Sequence, residues 1–271
     1  MEAKAIVMLG YLNEGDIPQI QQFITGDEST SIELKEVINK KVGSYTKVEP
    51  SHAGRPELLE INKEYMNVLD SYAIKIKESN FLGSSNWSFK NVEINRLISN
   101  ALFLDKKRIE SFSNIFSSED YSEILRVCLD KMPLKIPCML STNVAFYQSD
   151  NNDILNISFT FNNNVLQMNT KFNISPVKVL RVLNKYHLID GHHRAYALKK
   201  CGFDYIPSIV LNDNPGIRYS GIYHFSNHTL LREDPPIMKY FLDEDCSEEL
   251  PLRKKSVMLH KIQIDSTAIT V

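Results

Sequence analysis

The chain has 271 residues, 43% of them hydrophobic, and a formal net charge of −2. That is enough for one large domain or two modest ones with a real core, and the near-neutral charge excludes a global attraction to nucleic acid or to an anionic membrane surface. Four cysteines, Cys128, Cys138, Cys201 and Cys246, stand far apart with no C-x-x-C pair. That usage fits reduced thiols in a core better than a disulfide frame or a zinc cage.

In chain order, residues 5–12 read as a first strand. They are too short for a signal peptide, are preceded by one lysine, and lack a small-residue cleavage site. No stretch reaches the length of a membrane span, so the expected setting is the cytoplasm. Sequons such as those at Asn86, Asn156 and Asn227 then carry no glycan. Asn13 to Asp16 turn into a helix capped by Asp16 with Pro18 in its first turn, and 33–39 read as a second short helix. Over 56–79, Leu58, Ile61, Tyr65, Leu69, Tyr72 and Ile76 recur at three- and four-residue steps, the mark of a long amphipathic helix.

The small, polar stretch 81–86 reads as a linker. A strand is expected over 92–98, a helix over 104–116, and another helix opened by Ser117 or Ser118 and running to Asp130. Residues 136–147 and 154–168 are rich in β-branched and aromatic side chains and read as a small antiparallel meander. A hairpin follows, 177–182 and 186–189 around a turn at Leu183, Asn184 and Lys185. The pattern then breaks at Asp190-Gly191 and restarts as a helix from His192 that ends at Gly202, before a strand over 206–211. The tail mixes prolines, aromatics and charge; its acidic run 243–249 and basic run 253–255 read as solvated faces.

The break places His192, His193 and Arg194 at a helix N-terminus, where unpaired N–H groups and the positive end of the dipole favour anions. Arg194 can clasp two phosphate oxygens and stays charged at any physiological pH; a surface salt bridge is its plain alternative. Adjacent helical positions point about a hundred degrees apart, so one of His192 and His193 is free to bind phosphate or shuttle a proton while the other ties the turn to the sheet. Asp190 can cap the helix, fix a histidine tautomer or help hold Mg2+ beside phosphates, and capping alone accounts for its place. His187 reads as core or surface, and Tyr196 as packing.

Residues 176–210 resemble the core of the ParB/sulfiredoxin superfamily. The matching residues are Asp190-Gly191-His192-His193-Arg194, the small Ala197, Gly202, and Ile206-Pro207. The resemblance implies an α+β fold, a ParB/sulfiredoxin-like mixed sheet with flanking helices, here with an added N-terminal α/β region. It divides the chain into 1–85, a ParB-like domain over 86–215, and a C-terminal extension over 216–271 packed on that domain. It also implies that the box binds the phosphates of a nucleotide such as ATP, ADP or CTP, with Mg2+ as a possible companion ion. Gly191, His192, His193 and Arg194 become the binding residues, and His192, His193 and Asp190 the catalytic candidates.

Sulfiredoxins carry their reactive cysteine immediately after the glycine, where this chain has His192, and Cys201 lies at the far end of the helix. No helix-turn-helix follows the box, which argues against a partition protein. The leading expectation is a nucleotide- or phosphate-binding protein, with phosphoryl transfer or hydrolysis as its chemistry. The alternatives are a non-enzymatic DNA-associated or protein-interaction module with a vestigial or sensory box, and a nuclease. DNA is not supported by the net charge. Residues 92–112 resemble the family's opening strand and helix and offer Glu93 and Glu110 by position only, so neither is assigned a role.

Overall fold

The computed structural model describes residues 3–12, 32–42, 52–78, 86–129, 132–134, 138–140, 144–150, 154–162, 165–212, 224–252 and 257–263. The helix expected after Asp16 and the linker at 81–85 lie outside them. The strands are β1 (Ala3–Val7), β2 (Leu58–Leu59), β3 (Trp87–Glu93), β4 (Ile98–Ser99), β5 (Phe103–Asp105), β6 (Met132–Leu134), β7 (Cys138–Leu140), β8 (Val144–Asp150), β9 (Ile154–Asn162), β10 (Val165–Ile174), β11 (Lys178–Val182), β12 (Lys185–Asp190), β13 (Tyr205–Leu211), β14 (Glu248–Leu252) and β15 (Val257–Gln263). The helices are α1 (Ile32–Lys41), α2 (Met66–Glu78), α3 (Lys106–Phe116), α4 (Tyr121–Leu129), α5 (His192–Lys200) and α6 (Asn227–Leu230). The class is α+β. Among the described residues, no helix is long and apolar enough to cross a membrane.

The chain divides into two compact units, residues 1–130 with 176–254, and residues 131–175 with 255–271. This division differs from the spans expected from the sequence. Strand β1 pairs with β5 and β14, and β2 pairs with β3, so the N-terminal stretch supplies strands to the sheets of the first unit. By this division, residues 81–86 fall within the first unit.

In the first unit a six-stranded mixed sheet runs in the order β2-β3-β13-β11-β12-β4, beside an antiparallel sheet in the order β14-β1-β5. The pairs β11–β13 and β12–β4 are parallel, and β2–β3, β3–β13 and β11–β12 are antiparallel. The strand β13 (Tyr205–Leu211) is buried from Ile206 onward, and Val179 and Leu180 of the neighbouring β11 and Leu188 of β12 are wholly buried. Such an apolar run is what a strand covered on both faces requires. Helix α5 packs chiefly against α3, and α4 packs on β13.

The second unit contains two three-stranded antiparallel sheets, β6-β10-β9 and β15-β8-β7. The expected meander is therefore split: β8 pairs with β7 and β15, while β9 pairs with β10.

Several boundaries move for identifiable reasons. The long helix expected over 56–79 begins only at Met66, because Leu58 and Leu59 pair with β3 and Asn62 caps the turn ahead of α2. The strand expected at 92–98 is two pieces, β3 and β4. Helix α3 begins after Asp105, whose carboxylate accepts the N–H groups of Lys107 and Arg108. Helix α4 is opened by Asp120, which accepts the Ser122 N–H at 2.9 Å, and not by Ser117 or Ser118. The hairpin turn is the two-residue pair Leu183-Asn184, with φ of 48° and 63°; both positive values are what a type I′ turn demands.

Candidate functional site

Strand β12 runs straight into α5 through Gly191, whose φ is 102°. A Cβ at this position would lie 2.8 Å from a methyl of Val177. Glycine is thus required twice, by its left-handed backbone and by the approach of Val177. The first hydrogen bond of α5 is the Ala195 N–H to the Gly191 carbonyl, so the N–H groups of His192, His193 and Arg194 precede the helical ladder. Gly191 itself stands at the N-cap and offers no side-chain cap.

Asp190 is therefore not the cap expected of it. It is the last residue of β12, and its carboxylate is divided between two cations. One oxygen, Oδ1, accepts from Arg194 Nη2 at 3.3 Å, and the other, Oδ2, lies 3.9 Å from Lys178 Nζ. A β-bulge between Lys178 and Val179 produces this pairing. The register set by Val182 and Lys185 would place Lys178 opposite Ile189, and the bulge places it opposite Asp190. That arrangement does not suit Mg2+ on Asp190, since two cations already face the carboxylate. Among the described residues, no group of three or more His, Cys, Asp and Glu side chains could hold a metal ion.

Arg194 points inward and is only 2% exposed. Its Nη1 donates to the Val127 carbonyl in the last turn of α4 at 3.1 Å, and the guanidinium carbon lies 5.9 Å from the Phe112 ring centroid. Burial holds its pKa below the usual value, opposed by Asp190 and Cys128, with Arg108 pulling in the same direction as burial. A cation at a helix N-terminus opposes the dipole. Here it is offset by Asp190 and by carbonyls at the negative end of α4. The neighbouring Cys128 thiol is buried and pushed up to about 12, which marks an inert core thiol.

The two histidines divide as their spacing on the helix requires. The Nε2 of His193 accepts the Asp105 N–H at 3.0 Å and ties α5 to β5 and α3. His192 is buried at 8% exposure and donates to the Leu188 carbonyl; its Nε2 has no hydrogen-bond partner among the described residues. Burial, with the nearby His224 and Arg194, pushes its pKa down to about 3 in spite of the Leu188 bond, so the ring is neutral at physiological pH. His187 belongs to the core: it is wholly buried, and burial with Lys185 pushes it down to about 4. Tyr196 packs as expected, with Lys200 Nζ 5.6 Å from its ring centroid.

The structure thus brings Asp190, Gly191, His192, His193 and Arg194 to one helix start, with most side chains engaged by the protein itself. Lys178 carries no mark of this role in the sequence, because its place opposite Asp190 depends on the bulge. The carbonyl of Val127 carries no side-chain signal at all. Comparison with family models, curated proteins and solved structures finds no match.

Proposed function

We propose that the chain binds a phosphate group, carried by a nucleotide such as ATP, ADP or CTP or by another phosphorylated small molecule, at the start of α5. The observation that carries this reading is a helix that starts from a left-handed glycine with no side-chain cap, leaving three N–H groups ahead of its first internal bond. Lys178 adds an ammonium beside the box, and Arg194 Nη2 faces the same carboxylate. The geometry supports binding more than turnover. Of the three catalytic candidates, His193 Nε2 is taken by the Asp105 N–H and His192 is buried and neutral. Asp190 is the remaining candidate for moving a proton.

The test is a thermal-shift series with ATP, ADP, CTP and pyrophosphate on the wild type and Lys178→Ala. A site occupied at a hundredfold excess over its dissociation constant stabilises by about 2.7 kcal/mol. A shift in the wild type that falls in Lys178→Ala sustains the reading, and no shift with any ligand sinks it. A second reading, a non-enzymatic interaction module whose box is a vestigial keystone of the fold, is favoured by the burial of Arg194 against the Val127 carbonyl. It expects no ligand shift together with a large loss of stability when Arg194 is replaced.

A further inference from the structure

We propose that Asp190 is a built-in competitor for the anion site, its carboxylate standing where the oxygens of a bound phosphate would stand, so that ligand entry displaces it. This rests on the phosphate-binding reading above and adds a regulatory contact to it.

The geometry is that of a small anion held by two cations. Each carboxylate oxygen faces a different one, Oδ1 toward Arg194 and Oδ2 toward Lys178. Both contacts, at 3.3 and 3.9 Å, are longer than the roughly 2.7–2.9 Å of a strong charge-assisted hydrogen bond. The carboxylate therefore occupies the position without filling it well. A phosphate presents more oxygens and, as a monoester, more negative charge than a carboxylate, and so can satisfy both cations at once.

Exposure divides the partners in the direction that exchange requires. The cations are held in place, with side chains 2% exposed for Arg194 and 20% for Lys178, while the Asp190 side chain is 36% exposed and rotates on two torsions. Displacement therefore exchanges one anion for another against nearly fixed cations, and the released carboxylate is rehydrated at the surface. Both cations already sit in surroundings that disfavour their charge, since burial lowers the pKa of each. A more highly charged anion relieves that penalty further than Asp190 does. The bulge that turns Lys178 toward Asp190 is the backbone feature that builds the pair.

The experiment is isothermal titration of inorganic pyrophosphate into the wild type, Asp190→Asn and Lys178→Gln, with melting temperatures measured with and without pyrophosphate. Asp190→Asn keeps the side-chain shape and removes the competing charge, so it is expected to bind pyrophosphate at least about tenfold more tightly than the wild type. It should also melt lower without ligand and recover at saturation. Lys178→Gln should bind more weakly than the wild type. An Asp190→Asn protein that is folded and binds no more tightly than the wild type overturns the competitor role and leaves phosphate binding standing. No binding by any of the three proteins overturns both. If Asp190→Asn does not fold, the wild type still decides through the carbon-13 resonance of the Asp190 carboxyl, which should move on saturation with pyrophosphate. An unmoved resonance in the bound protein overturns the displacement.

Discussion

The two ends of α5 use the same residue type under opposite conditions. At its start, Gly191 has a φ of 102° and a would-be Cβ 2.8 Å from Val177; beyond its end, Gly202 has a φ of 92° and nothing within 4 Å of that position. The charges follow the same division. Lys199 and Lys200 near the end are partnered by Asp204 and the Tyr196 ring and agree with the helix dipole. Arg194 at the start opposes the dipole and is buried. The end of the helix obeys local rules, while its start is built from tertiary partners contributed by β5, α4, β11 and Val177.

The sharpest contrast should come from the arginine. Arg194→Met retains an apolar stem but leaves the Val127 carbonyl without its donor and Asp190 without one of its cations. Leaving a buried carbonyl without its donor costs about 1–3 kcal/mol, and the partly exposed Asp190, which keeps Lys178, adds little. Lys199→Met, which removes an ion pair at the helix end, should cost about 0–1 kcal/mol. Urea unfolding of the two variants gives the comparison directly. Equal losses would mean that the start of α5 is no more dependent on its partners than the end.

Acid should act on the same buried side of the molecule. In an unfolded chain, histidine titrates near 6.5, whereas burial pushes His187 down to about 4 and His192 to about 3 in the fold. A depressed histidine pKa means that the unfolded state takes up the proton first. Stability is therefore complete above about pH 6.5 and falls with pH through the interval down to the folded values. At pH 5 each histidine should cost about 2 kcal/mol relative to neutral pH. Denaturant midpoints measured from pH 7 to pH 5 should fall steeply for the wild type and less so for His192→Gln. An unchanged slope in that variant would remove His192 from the account.

What could be read from the sequence follows the same line between local and tertiary control. The Asp190-Gly191 break, the helix to Gly202, the hairpin around Leu183 and Asn184, and the strand after Ile206 are set by turn chemistry and periodicity within a few residues, and all of them form. The inward turn of Arg194 was not legible, because its acceptor is a backbone carbonyl in α4, 67 residues earlier. Nor was the pairing of Lys178 with Asp190, since a one-residue bulge reverses the face a side chain presents and leaves no compositional trace. The helix expected from Pro56 onward began late because β3 recruited Leu58 and Leu59 into a ladder, a tertiary demand that overrode a good helical pattern.

A coupling measurement tests the space at the start of α5. Gly191→Ala must hold an L-residue at positive φ, about 1–2 kcal/mol, and must push the buried Val177 aside, typically a further 1–3 kcal/mol. Shortening the obstruction should recover the second part and not the first. The double variant Gly191→Ala with Val177→Ala is therefore expected to show a favourable coupling of about 1 kcal/mol or more in a double-mutant cycle. Strict additivity would place the cost of Gly191→Ala in the backbone alone.

The smallest change belongs to the other end. Gly202 needs glycine only for its φ of 92°, because a methyl there would meet open space. Gly202→Ala should therefore cost about 1 kcal/mol, the strain of the backbone without a packing penalty. Asparagine tolerates the left-handed region better than alanine does, so Gly202→Asn should recover part of that loss. No such rescue is expected at Gly191, where any side chain meets Val177. If Gly202→Asn were as damaging as Gly191→Asn, the open space beyond α5 would be filled in solution and the two ends of the helix would be governed by the same packing after all.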